Sequence, residues 1–183
     1  MSSPCDPKYA PAGEVGAALL MIDSRLKAIY DDNTEPDEPD LEQQEMVEQF
    51  AASMGPDGID AMLDGTCTLI YMFMKWLRMT CEDHGKDVIE YVVPTHVATM
   101  RMMPRTFSPE VIPIMTGLIV AAGTGLSPSL WRAQYGPWTD AEMNPLEATA
   151  VLLAERINRI ADDTDYATRL ITEALSRTER KRR

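Results

Sequence analysis

The sequence predicts an all-α fold, a single-domain bundle of about seven helices around one buried central helix. Two sets of apolar residues recur at alternating intervals of four and three, which places each set on one face of a helix. Between them, residues 67–77 are apolar almost all round, a pattern typical of a helix surrounded by others. The two sets are Val15, Leu19, Ile22, Leu26 and Ile29, and Leu146, Ala150, Leu153, Ile157 and Ile160.

The N-terminal part of the chain contains two irregular segments. Residues 1–12 carry three prolines and are predicted to form an irregular arm, which leaves residues 13–183 as a single all-helical domain. Residues 31–40 hold six acids and two prolines but no apolar side chain, so we expect an acidic loop there. Asp40, with Gln43 as its capping-box partner, is predicted to start the next helix.

The predicted central helix covers residues 59–83 and ends at His84-Gly85. Residues 87–103 are predicted to form a helix that bends or restarts at Pro94. Because residues 88–93 are rich in β-branched side chains, a short strand is the alternative there.

Three further helices are predicted to start where a capping residue precedes a proline. A final helix is expected after residues 162–164, which could cap it. The three predicted starts are Ser108-Pro109, Ser127-Pro128 and Asn144-Pro145.

The net charge of −12 lies entirely within residues 1–64, which hold fifteen acidic and three basic residues. We expect no direct binding to nucleic acid, because such affinity comes largely from neutralising phosphates with basic side chains. A basic run at residues 177–183 is interpreted as a helix end whose cations complement the helix dipole, with a docking tail as the alternative.

The sequence predicts a cytoplasmic protein without a membrane span. Its first residues lack the basic start and apolar run of a signal peptide, and three cysteines without a CxxC pair indicate reduced thiols. The longest uncharged stretch runs from Val111 to Trp131 and is long enough for a membrane. It contains prolines and a Gly-Thr-Gly turn, so we interpret it as a buried helix, a loop and the next helix.

Motifs of common enzyme classes are missing from the sequence. It contains no GxxxxGK[ST], GxGxxG, HExxH or GxSxG pattern. Cys81 and His84 share a helix face and, with His96, could supply zinc ligands, but their spacing is not that of a structural zinc site. The absence of these motifs therefore favours a protein that is not an enzyme and needs no cofactor.

Acidic residues provide the one enzymatic alternative. Glu45 and Glu48 share a predicted helix, and Asp57 and Asp60 follow after a short turn, so two antiparallel helices could form an oxygen-rich site for Mg²⁺ or Mn²⁺. The pattern resembles the ExxE…ExxD arrangement of the all-α nucleoside triphosphate pyrophosphatases, the MazG and dimeric dUTPase group. The resemblance implies that these carboxylates hold magnesium against a nucleoside triphosphate, although the family has glutamate where this chain has Asp57.

The preferred hypothesis is a non-enzymatic helical protein that acts through protein–protein interaction, in a regulatory or assembly role, and forms a homodimer. The two apolar stripes could pair within one molecule or between two copies. The uncharged helix after Val111 also has to be buried against other helices, either of the same chain or of a second copy. A further alternative is an acidic inhibitor that mimics a polyanion and occupies a basic partner. The candidate partner-binding residues are Met100, Met102, Met103, Trp131 and Trp138.

Overall fold

The computed structural model describes residues 5–7, 9–31, 45, 49, 52 and 57–183. Over these residues the chain is helical without a strand, which confirms the all-α prediction. Most of the acidic loop and of the helix predicted after Asp40 lies outside the described residues. The helices are α1 (Ala12–Tyr30), α2 (Gly58–Asp83), α3 (Val88–Tyr91), α4 (Val93–Arg101), α5 (Ile112–Gly123), α6 (Pro128–Ala133), α7 (Asp140–Ala161) and α8 (Tyr166–Arg182).

Helix α2 lies at the centre of the described structure. It contacts α1, α3, α5, α6, α7 and α8, and every residue from Gly65 to Met74 is buried. Cys67, Leu69 and Ile70 point in different directions around the helix, and each is completely buried. An apolar surface on all sides can leave water only if other helices surround it.

The two predicted apolar stripes face the core and pair within the chain. Helix α1 buries the stripe from Val15 to Leu26, α7 buries the stripe from Leu146 to Ile157, and the two helices contact each other as well as α2. The last member of the second stripe, Ile160, is 50% exposed.

Helices α1 and α2 cross closely at a glycine. A Cβ atom added to Gly65 would lie 2.5 Å from the carbonyl oxygen of Glu14 and 2.9 Å from its carbonyl carbon. Both are backbone atoms, which cannot rotate away as a side chain can. The absence of a side chain at position 65 therefore sets the distance between the two helices.

Most of the predicted helix boundaries in the middle of the chain are confirmed. Gly85 has φ +67° after the end of α2, and the hydroxyl of Ser127 accepts a hydrogen bond from the Leu130 N–H at 3.2 Å at the start of α6. The helix predicted at residues 87–103 restarts at Val93, next to Pro94, so the strand alternative is wrong.

Two predicted helix starts are wrong. Helix α5 begins at Ile112 rather than at Pro109, because Pro113 must lie in the first turn; a helix begun at Pro109 would force the ring of Pro113 against a carbonyl of the preceding turn. Helix α7 begins at Asp140, before Pro145, because Glu142 caps it through Thr139.

Among the described residues, no helix is both long and apolar enough to cross a lipid bilayer.

We expect Gly65→Ala to lower the free energy of unfolding by about 1–3 kcal/mol, because the new methyl group would push α1 away from α2. The matched control is Gly16→Ala in α1, where no atom lies within 4 Å of an added Cβ. That change should raise stability by roughly 0.5–1 kcal/mol through helix propensity. Urea denaturation checks both, and equal effects of the two variants would contradict the close crossing.

Candidate interaction surface

Helix α6 and its flanking turns expose several large apolar side chains. Leu126, Leu130 and Tyr135 are 60%, 59% and 67% exposed, and Trp131 between them is half-buried. We call these four residues the α6 face. Single exposed apolar residues are ordinary, but leucine, tryptophan and tyrosine side chains grouped within ten residues are typical of a protein interface.

A glycine in α5 holds the tryptophan of this face in place. A Cβ atom added to Gly117 would lie 2.1 Å from the Cη2 atom of Trp131, so the indole ring lies directly on the backbone of α5. The ring of Tyr135 packs beside the indole, with ring centroids 5.2 Å apart and planes tilted by 56°. The two aromatic side chains therefore have a defined arrangement before any partner binds.

A buried ion pair lies next to the α6 face and ties α6 to α7. Arg132 and Glu142 are both buried, and the Arg132 Nε–H donates to Oε2 of Glu142 at 2.6 Å. The guanidinium also donates to the carbonyl oxygens of Gly136 at 2.9 Å and Pro137 at 3.0 Å, and lies 4.8 Å from the ring centre of Trp138. These bonds fix the turn between the two helices.

The ion pair also explains the electrostatics of this region. The hydrogen bonds from Arg132 lower the pKa of the Glu142 carboxyl, so both groups are charged at neutral pH. The Glu142 carboxylate additionally accepts bonds from the backbone N–H and the hydroxyl of Thr139, at 3.1 and 2.9 Å. Arg132 thus contributes no uncompensated charge to the adjacent α6 face.

The N-terminal arm packs against the start of α6. The Sγ atom of Cys5 lies 3.3 Å from the hydroxyl oxygens of Ser127 and Ser129, which are 3.0 Å apart. Cys67, on the central helix, is fully buried, and burial raises the pKa of its thiol, which is therefore protonated and unreactive. Both cysteines serve packing here.

The structure divides the predicted partner-binding residues. Trp131 belongs to the α6 face, and Trp138 is half-buried beside Arg132. Met102 is 81% exposed, but Met100, within α4, and Met103, just after its end, are buried in the core. The methionines therefore form no continuous surface, and sequence analysis did not single out Leu126 or Leu130.

The predicted metal ligands lie on the surface where they are described. Glu45, Asp57 and Asp60 are exposed, and Glu48 lies outside the described residues. Within the described part of the chain, no three His, Cys, Asp or Glu residues are grouped so that they could hold a metal ion. This finding covers Cys81, His84 and His96 as well.

Carboxylates near the start of α2 repel one another. Partial burial, and then the neighbouring Asp60, raise the pKa of Asp64. Partial burial and Asp64 in turn raise the pKa of Glu14 in α1. These shifts show that the charged forms are disfavoured where α1 and α2 meet.

His96, in α4, is buried without a hydrogen bond to its Nε2 atom from the described residues. Its side chain is 4% exposed. Burial, together with the nearby Arg156 cation, lowers the pKa of the imidazole to about 4. His96 is therefore neutral at physiological pH and contributes packing rather than charge.

No protein-family model, curated protein or solved structure matches this chain.

We predict that His96 makes folding sensitive to acid. As the pH falls below the ordinary histidine pKa of 6.5, His96 becomes protonated in the unfolded chain. In the folded chain it stays neutral until the pH approaches the lowered pKa of about 4. Stability is therefore lost as the pH falls through this window, by about 2–3 kcal/mol at a pH of roughly 4.5.

Urea denaturation across that window should show a smaller loss in His96→Leu than in the wild type. The matched control is His84→Gln, because His84 is exposed. It should keep the wild-type pH dependence. Identical pH dependence in the wild type and His96→Leu would rule out this role for His96.

We expect Glu142→Gln to lower the free energy of unfolding by about 3–5 kcal/mol, because it leaves the buried Arg132 cation uncompensated. The double change Arg132→Met with Glu142→Leu should cost less than the sum of its two single changes, since it leaves no buried charge. Chemical denaturation of the wild type, Arg132→Met, Glu142→Leu and the double variant measures this coupling.

The control for that cycle is the pair of the exposed Arg159 and the half-buried Glu155, whose charged atoms are 2.7 Å apart. Glu155→Gln should change stability by no more than about 0.5 kcal/mol. A similarly small effect of Glu142→Gln would mean that the buried pair does not stabilise the turn.

Proposed function

We propose that the protein acts by binding another protein through the α6 face, in a regulatory or assembly role, rather than by catalysis. The observation that carries this proposal is the exposure of Leu126, Leu130 and Tyr135 on a segment without uncompensated charge. Burying apolar side chains against a partner releases the water that covers them and favours association.

The support beneath this face also favours binding. Trp131 lies on Gly117, Ser127 caps α6, and the pair of Arg132 and Glu142 fixes the following turn. A surface that is ordered before binding loses little conformational entropy on association, so more of the contact free energy becomes affinity.

The hydrolase alternative receives less support. It requires Glu45, Glu48, Asp57 and Asp60 to converge on one metal ion. The described members of this set are exposed and are not part of any group of three metal-ligating residues in the described structure. The α6 face is therefore the better-supported functional surface.

A photo-crosslinking amino acid, p-benzoylphenylalanine, placed at position 130 or 135 tests the proposal in living cells. The control position is 160 in α7, where Ile160 is also an exposed apolar residue. We expect a discrete covalent adduct from positions 130 and 135 and none from position 160, because only the α6 face is covered by a partner. An unmodified chain at all three positions would overturn the proposed function.

A further inference from the structure

A cation borders the α6 face at its first residue. Arg78, on α2, is half-buried, and a Cβ atom added to Gly125 would lie 3.3 Å from its Nη1 atom. The guanidinium therefore lies against the backbone of the residue that precedes Leu126, whose side chain is 60% exposed. The surface around the α6 face is thus apolar in its middle and positive at the Leu126 edge.

This cation has no bonded counter-ion in the described part of the chain. The buried Arg132 is bonded to Glu142 and to two carbonyl oxygens, whereas Arg78 forms no ion pair or hydrogen bond with another described residue. The charge of Asp6 reaches the same region, because burial and Asp6 raise the pKa of Tyr71 and Arg78 opposes them. Asp6 moderates the field of Arg78 without accepting its hydrogen bonds.

The end of α5 compensates this cation only in part. A helix C-terminus carries about half a negative charge, and the carbonyl oxygen of Ala121 already accepts bonds from the N–H groups of Thr124 and Leu126, at 3.2 and 2.9 Å. A guanidinium has a full positive charge and five N–H donors in a planar fork. The donors of Arg78 are therefore available to a partner.

Covering the α6 face has a cost at Arg78. A partner that buries Leu126 against apolar side chains also excludes water from the adjacent guanidinium, and a cation without an acceptor is strongly unfavourable in an apolar contact. A carboxylate on the partner removes this penalty, because it neutralises the charge and accepts two N–H bonds at once. A hydroxyl or carbonyl oxygen would accept a bond but leave the charge.

We infer that the partner on the α6 face is a protein segment that presents apolar side chains to Leu130 and Trp131 and an Asp or Glu carboxylate to Arg78. This inference rests on the proposed function and specifies the chemistry of its partner. It excludes a segment that is entirely apolar or is basic opposite Arg78, because either would bury an unpaired cation.

The distribution of charge along the chain is compatible with an acidic group at this place. The net charge of −12 lies within residues 1–64, whereas residues 65–183, which contain Arg78 and the α6 face, hold fourteen acidic and fourteen basic residues. The requirement is for one carboxylate within the contact, and a partner with a large negative net charge would be repelled by the N-terminal third.

The p-benzoylphenylalanine crosslinker at position 130 tests the role of the cation in living cells. Combining it with Arg78→Glu should lower the yield of the adduct at least about tenfold, because two carboxylates would then face each other. Arg78→Lys keeps the charge but loses the planar fork, and should lower the yield by no more than about threefold. The matched control is Arg180→Glu on α8, which makes the same charge change at an exposed residue and should leave the yield unchanged.

A phage-displayed library of random peptides tests the chemistry of the partner directly. Peptides selected on the wild-type chain should carry Asp or Glu beside apolar residues, and those selected on Arg78→Glu should carry Lys or Arg there instead. Peptides that still bind Leu130→Glu are discarded, because they bind outside the α6 face. Circular dichroism of each variant confirms that it is folded.

The two experiments separate this inference from the proposed function. An adduct yield that Arg78→Glu leaves unchanged overturns the inference, and so does a set of selected peptides without an enriched acidic residue. Either result leaves the α6 face as a binding surface. Absence of any adduct from positions 130 and 135 overturns the proposed function and this inference with it.

Discussion

Burial of the central helix is the constraint on which the rest of the fold depends. The middle of α2 is apolar on all sides, so it cannot leave water by packing against one neighbour. Helices α1, α5 and α7 each contribute one apolar face to it, and Gly65 lets α1 approach closely. The opposite sides of these helices are then free to be polar, and most charged side chains of the described residues are exposed.

Helix α6 is held by a different means. It has six residues and buries few side chains of its own, so tertiary burial alone gives it little stability. Its position instead comes from specific local contacts: the Trp131 ring on Gly117, the hydroxyl cap of Ser127, and the guanidinium of Arg132 in the following turn. Because the core beneath is already filled by α2 and α5, the apolar side chains Leu130 and Tyr135 remain outside.

How much the sequence could predict depends on the range of the interaction involved. Periodicity identified α1 and α7, since a helix stripe is a local pattern, and a run that is apolar almost all round identified α2. The start of α5 was misplaced because Ser108-Pro109 resembles a helix start, while the second proline, Pro113, is accommodated only in the first turn. The methionines near Arg101 looked equivalent in sequence, yet the end of α4 sends Met102 outward and Met103 inward. The α6 face and the Arg132–Glu142 pair depend on three-dimensional packing that no local pattern reports.

The contacts of Cys5 with Ser127 and Ser129 bring together residues that are more than 120 positions apart in the chain. During synthesis the arm and the apolar centre of α2 leave the ribosome long before α5, α6 and α7 exist to cover them. For the time needed to make that remaining half, a strongly apolar helix is exposed in the growing chain, when it is most prone to aggregate. A finished chain that refolds from denaturant has all of its helices present at once, so its α2 is not exposed for that waiting period.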